Sequence, residues 1–416
     1  MTARPLGDGL VLREVAGPDD VERVAAFDAR IHGAGTEPTW RAWMRDHPSA
    51  SAAHWLFIED HATGAVVASL CLLPWRLSFA GVELRAAEMG VVGTLEAYRG
   101  RGLQRVLAAR FDELLRAEGY LLSHIQGIPY FYRQFGYEYA APLEAWWRLE
   151  LHTLEAAAPA TGFTCRPATV GDIPVLSAFY DEAARSLDVS AVRDAATWDY
   201  VLGPAMATET AAETWLVVDA AATPAGYFRV AQHGFGAGLI VSEASRLGAD
   251  AALAAVATIG DLAQHRRKPF VRLNLPARAS LVTIARGLGA HDGTTYAWQV
   301  RLPEPVALLR ALAPAVERRV LSSIYAGLTC DVVIDLYRLA LTLRFRAGRL
   351  EAVEERAPGG WADLRLPPAL LAPLVLGHRS LDEIEPMYPD AVARGSARPL
   401  VEVLFPKLHV WLYQPY

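Results

Sequence analysis

Arg99-Gly100-Arg101-Gly102 carries the plainest chemistry in the chain. It follows an apolar, β-rich stretch, Glu88–Thr94. It precedes a run in which Leu103, Val106, Leu107, Phe111, Leu114 and Leu115 recur at spacings of three and four. That spacing predicts an amphipathic helix beginning at a glycine turn. Glycines at such a junction let backbone N–H groups approach an anion. The helix N-terminus adds the positive end of its dipole, and the arginines add charge. The chemistry is that of holding a diphosphate. No Gly-Lys-Ser/Thr follows, and the glycines are not spread as GxGxxG, so neither a nucleotide P-loop nor a dinucleotide fingerprint is present. A second candidate segment, Tyr130-Phe131-Tyr132-Arg133-Gln134-Phe135-Gly136-Tyr137, comes shortly after a predicted strand, Leu121–Ile125, and the break at Gly127-Ile128-Pro129. Packing is the simpler role for Tyr130 and Tyr137, and His124 reads as a core histidine.

The elements that must position these residues alternate along the chain. Leu10–Val15 reads as a strand, and Gly17-Pro18-Asp19-Asp20 as a helix start. Trp55–Glu59 and Ala65–Leu73 read as a hairpin, and Trp75–Phe79 with Val82–Ala87 as another, turning at Ala80-Gly81. The small-residue stretch Leu151–Gly162 reads as a linker. Beyond it, Phe163–Asp172 echoes Val11–Asp20. Strand Gly238–Glu243, helix Ala249–Leu262 and strand Phe270–Leu275 then repeat the earlier order. The middle of the chain therefore reads as a second copy of the first unit. There, Ser245-Arg246-Leu247-Gly248-Ala249-Asp250 stands in place of the glycine loop. After Pro303-Glu304-Pro305 come a helix, Val306–Leu321, strands Cys330–Tyr337 and Ala340–Phe345, a helix Pro367–Leu376, and a short helix Leu381–Glu385. The aromatic end, Val410–Tyr416, reads as built to be buried or docked, because exposed termini fray.

Composition narrows the class. The 416 residues suit two to four domains at roughly 100–200 residues each. A hydrophobic fraction of 52% supports sizeable cores. Acids outnumber bases, 46 to 40, for a net charge of −6, which argues against nucleic acid as a partner. No apolar run reaches the length of a membrane span and no signal peptide is visible. The cysteines are Cys71, Cys165 and Cys330, far apart and without a CxxC pair. They fit a reduced, cytoplasmic protein with no metal site.

Val92–Arg101 with the following helix resembles the acetyl-CoA loop of the GNAT acetyltransferase superfamily, [RQ]xxGx[GA]. Arg99 and Gly102 fit it, and Gln104 stands where a small residue is usual. Tyr132 followed by Phe135-Gly136-Tyr137 resembles that superfamily's Tyr…Phe-Gly-aromatic unit. Over essentially all 416 residues the chain resembles the Eis (enhanced intracellular survival) family. Leu364–Glu385 and Leu404-Phe405-Pro406-Lys407 resemble its third domain. The resemblance implies an α/β (α+β) protein with tandem GNAT domains, the first active and the second degenerate, and a C-terminal sterol-carrier-protein-like α+β domain. Their spans would be 1–152, 153–302 and 303–416.

It also implies an N-acetyltransferase that passes acetyl from acetyl-CoA directly to a primary amine: an aminoglycoside, a polyamine or a lysine side chain. A non-catalytic CoA or acyl-ligand sensor and a transferase of longer acyl chains are the alternatives. Tyr132 would be the general acid for the leaving thiolate. The α-carboxylate of Tyr416 would be the general base, since an ammonium cannot attack until it loses a proton. Val92, Gly93 and Thr94 would line the pantetheine arm. The N–H of Val92 would face the thioester oxygen. Arg99, Gly100, Arg101, Gly102, Leu103, Gln104 and Arg105 would hold the pyrophosphate, and Gly127 and Ile128 would touch the cofactor further on. Asp28, Glu37, Trp40 and Trp43 fall in the acceptor region, where acids beside tryptophans suit a cation. A homohexamer is implied as well.

Overall fold

The computed structural model describes residues 3–155, 162–234 and 236–416. Two of the expected hairpins merge, because Ala65–Phe79 and Val82–Thr94 are single long strands paired antiparallel around the Ala80-Gly81 turn. Pro74, which the sequence suggests as a break, sits just past His54↔Leu72, the last pair made with the neighbouring strand His54–Asp60. Its missing N–H therefore costs no ladder bond on that side. A bulge interrupts the long pair between Ser69↔Gly93 and Cys71↔Gly90, and Val91 within it takes a positive φ of 51°.

Helix Leu103–Ala117 forms where the spacing predicts it. Leu103, Leu107, Phe111, Leu114 and Leu115 are buried, and the left-handed Gly102 stands at its N-cap. The expected strand–helix–strand order recurs. Strand Leu239–Ala244, helix Ala249–His265 and strand Phe270–Asn274 follow the order of Val82–Thr94, Leu103–Ala117 and Leu122–Ile125.

Sequence reading did not show that the two copies share their last strands. Leu122–Ile125 of the first copy pairs with His291–Arg301, and that strand pairs in turn with Glu138–Glu150. Glu138–Glu150 then pairs with Phe270–Asn274 of the second copy. Among the described residues one fifteen-stranded sheet results, continuous across both copies. The linker reading at Leu151–Gly162 falls partly outside the described residues, although Leu151–Glu155 is helical.

The C-terminal part carries a five-stranded sheet of its own. It includes Arg349–Arg356, a strand the sequence reading passed over. The long helix expected over Val306–Leu321 is two, Pro305–Ala311 and Ala313–Leu321, because Pro314 starts a new helix and cannot donate into the old one. The chain then returns to the large sheet. Val410–Trp411 pairs parallel with Val189–Ser190, which lies against Leu77–Phe79. No helix among the described residues is long and apolar enough to cross a membrane.

Candidate active site

In the first copy the parallel strands Val82–Thr94 and Leu122–Ile125 stay in register from Ala86↔Leu122 to Glu88↔His124. Beyond that pair they part. The parting strands define a candidate cleft between the bulge at Val91 and Gly127-Ile128, with Glu88 and His124 at the last paired step. Parallel strands that splay in this way leave backbone N–H and C=O groups free to pair with an extended ligand.

The anion loop lies at the outer end of the cleft. Gly100 and Gly102 both have φ of 77°, a conformation costly for other residues, and a Cβ on either would meet nothing within 4 Å. The loop is open on its outer side, as an anion cradle must be. Arg101 lies over the Tyr98 ring and 3.6 Å from Asp8, while Arg99 makes no ion pair among the described residues. Gln104 does more than replace a small residue. Its amide donates to the carbonyl of Gly93 (2.7 Å) and to the Thr94 hydroxyl (3.0 Å), tying the helix start to the strand end. The diphosphate chemistry expected of this loop fits what is present.

Tyr132 sits in the short turn of helix Phe131–Phe135 with its ring buried. The ring lies against Gly127, where an added Cβ would come within 2.2 Å of it. Two residues of the exchanged strand fix that glycine from behind. Tyr296 donates its hydroxyl to the Gly127 carbonyl, and Gln299 donates its amide to the same oxygen at 3.0 Å. The Tyr132 hydroxyl has no hydrogen-bond partner among the described residues, yet it is not sealed from solvent. Burial, with the nearby Tyr296 phenol, pushes its pKa up, which keeps the proton on the oxygen. With Tyr132 in the general-acid role that the resemblance implies, Gly127→Ala is expected to lower kcat by about 100-fold, because the methyl displaces the Tyr132 ring. Steady-state kinetics with a thermal melt would show this, and an unchanged kcat would contradict it.

At the cleft floor, strand Val82–Thr94 presents Glu88, a wholly buried carboxyl that the sequence reading passed over. The Tyr416 hydroxyl donates to both of its oxygens (2.8 and 3.1 Å), and the Gln126 amide donates to that hydroxyl at 3.1 Å. The Tyr416 ring packs 4.3 Å from Trp43 and 6.0 Å from Trp75, centroid to centroid. Burial raises the Glu88 pKa to about 8, even against the Tyr416 hydrogen bond that lowers it. His124, beside Glu88, is enclosed between Trp75 and Trp298, and its pKa is pushed down to about 3. It is a neutral core residue, as expected. The one sequence signal for Glu88 was a lone acid inside an apolar β run.

The tail that brings Tyr416 here is clamped farther back. Arg193 and Glu243 form a buried bidentate pair (2.7 and 2.8 Å), and Arg193 also donates to the Gln414 carbonyl at 2.8 Å. Breaking such a pair costs about 3–5 kcal/mol, so the last residues are firmly placed.

The residues expected in the acceptor region are divided. Trp40 and Trp43 are buried and stacked edge to face, Trp40 donates to the Thr36 hydroxyl, and Trp43 touches Tyr416. Glu37 starts helix Glu37–Arg45 and is half-buried. Asp28 stands apart from them. It is wholly enclosed, bonded to the Ser69 hydroxyl at 2.6 Å beside the bulge, with its pKa pushed well up by burial. As folded, Asp28 is enclosed beside the bulge and closed to ligand.

Residues 13–140 match the acetyltransferase (GNAT) domain family. No curated protein matches the chain. Solved structures match it almost end to end. A conserved protein of unknown function from Enterococcus faecalis V583 has a TM-score of 0.72 at 15% identity, with 98% of this chain and 100% of that one covered. A GCN5-related N-acetyltransferase from Anabaena variabilis has a TM-score of 0.70 at 16% identity, with 97% and 99% covered. Eis1 from Mycobacterium abscessus has a TM-score of 0.63 at 17% identity, with 98% and 100% covered. At these identities the likeness is one of fold. The family's general reaction is acyl transfer from acetyl-CoA. The chain thus carries an acetyltransferase domain of the GNAT type at 13–140 and is an acyltransferase, set in a mixed α/β fold that these proteins share over nearly their whole length.

Proposed function

We propose that the chain is an Eis-like, acetyl-CoA-dependent N-acetyltransferase that acts on primary amines of the aminoglycoside, polyamine or lysine type. Two features support this reading: the Tyr132 phenol, whose hydroxyl has no hydrogen-bond partner among the described residues, and the buried acid–phenol pair of Glu88 with Tyr416. The donor, when bound, supplies an acetyl thioester. The backbone of Val92 to Thr94 orients it, and the loop from Arg99 to Arg105 balances its phosphate charge. Tyr132 then gives its proton to the departing sulfur. The amine loses a proton at the Tyr416 end of the cleft, with the α-carboxylate of Tyr416 as base. Trp43 and Trp40, with Glu37 at the rim, suit a cationic acceptor.

A second reading of the base has its own support. Glu88 lies on the same strand as Val92, and a carboxyl whose pKa is near 8 is well matched to taking a proton from an ammonium. Transfer is direct in either case. Cys71 is wholly buried with its thiol pushed well up, so it cannot carry the acyl group. The test is CoA release from acetyl-CoA across a panel of amines including aminoglycosides, polyamines and lysine peptides. Saturable release that depends on the amine is expected. CoA binding without release for any amine would favour a sensor.

A further inference from the structure

The second copy holds a cavity of its own, about 820 Å³. It occupies the same place in the repeat as the donor cleft of the first copy. Strands Leu239–Ala244 and Phe270–Asn274 run parallel and in register up to Val241↔Leu273, then part. The cavity lies beyond, between the strand end at Ala244–Leu247 and the Pro276–Ala279 turn that leads into helix Ser280–Gly287. Its last wall is the C-terminal segment, through Leu408–Trp411 and Tyr413.

Three properties of the lining define what fits. First, the interior is apolar: Leu187, Leu247, Ile284, Leu408 and Trp411 face it. Second, its charge has one sign. Arg246 and Arg278 line it, and no Asp or Glu does. Arg278 makes no hydrogen bond or ion pair among the described residues, and Arg246 has only Glu182, 3.8 Å away with both side chains largely exposed. Third, the diphosphate turn of the first copy is missing. Gly248 at the helix start has a φ of −65°, whereas Gly102 has +77°. A nucleotide diphosphate would therefore find no cradle here. The volume lies within the range of about 300–1,000 Å³ usual for small-ligand sites.

The geometry points to a binding site for a single-chain amphiphilic anion, an apolar chain ending in a carboxylate or phosphate, in the cleft of the second copy. The chain packs among the leucines and Trp411, and its head pairs with Arg278 and Arg246. The occupant would also touch the tail. Tyr413 lines the cavity with its hydroxyl on the Ala244 backbone, and Tyr416 follows three residues later at Glu88. A bound chain thus braces the segment that delivers Tyr416 to the first cleft.

Calorimetry on the full-length protein tests this, with decanoate, decyl phosphate and neutral decanol as probes, each below its micelle concentration. One saturable site with a Kd of about 1–100 μM is expected for decanoate, decyl phosphate or both, and binding of decanol about tenfold weaker or worse. The anionic probe that binds tells a free fatty acid from a phosphate-headed lipid fragment. Arg278→Glu is expected to weaken binding at least about tenfold. Ala279→Trp and Thr283→Trp, two separate ways of filling the space, are each expected to abolish it, with melting temperatures near that of the wild type showing that they fold. Absence of binding for both anionic probes would overturn the proposal. So would binding that persists unchanged in a folded Ala279→Trp or Thr283→Trp protein.

Discussion

Tyr132→Phe is expected to lower kcat by about 10²- to 10⁴-fold, the usual contribution of a positioned general acid, with little change in the KM for acetyl-CoA. The substitution is unusually clean here. The ring keeps its bed on Gly127 and its contacts with Phe131 and Tyr137, so packing is unchanged. The hydroxyl has no hydrogen-bond partner among the described residues, so removing it leaves no described donor or acceptor unpaired. Stability should hold or rise slightly, and a thermal melt beside the kinetics separates loss of chemistry from loss of fold. A Phe variant with full kcat would remove Tyr132 from the reaction.

Glu88→Gln has the second large effect, and its signature is in pH. The Glu88 carboxyl titrates near 8 in the folded chain, against 4.5 in its ordinary environment. The folded state thus holds this proton more tightly than the unfolded chain does. The stabilising contribution is fully present below about 4.5 and is lost as pH rises through 8. Across that window the wild type should lose stability relative to the Gln variant. If Glu88 is the base, wild-type kcat rises with pH toward a limb near 8, and Glu88→Gln removes that limb along with about 10²-fold or more of the rate. If the Tyr416 carboxylate is the base, the profile carries no limb from Glu88, and Glu88→Gln loses rate only through a loosened Tyr416. Extending the chain by one residue after Tyr416 then becomes the damaging change. A pH–rate profile of the three proteins tells the two apart.

Features set by local sequence were legible. The helix over Leu103–Ala117 follows from a period of three and four, and the open turn before it follows from two glycines that must take positive φ. The recurring strand, helix and strand order was legible, because the apolar runs and the helix period recur in that sequence. Features made by strand pairing across the chain were not. Glu88 reads as one acid in an apolar strand until the tail places Tyr416 on it, 328 residues away in sequence. Tyr296 and Gln299 reach Gly127 only because the two copies exchange their last strands, and no periodicity announces such an exchange. Asp28 looks like a solvated acid on a helix face. Its burial is decided by Ser69, 41 residues later, beneath a bulge that turns on the single residue Val91. Gln104 reads as a departure from a motif and proves to be a clasp between strand and helix.

The central claim is that the Tyr132 hydroxyl and the Glu88–Tyr416 pair face one reaction centre in the cleft of the first copy. A crystal structure of the full chain with CoA bound tests it most directly. The sulfur should lie within hydrogen-bond reach of the Tyr132 hydroxyl, about 3 Å, with the pantetheine arm along Val92 to Thr94 and the diphosphate on the loop from Arg99 to Arg105. CoA seated in the second copy's cavity, or bound in the first cleft with its sulfur turned away from Tyr132, would contradict it.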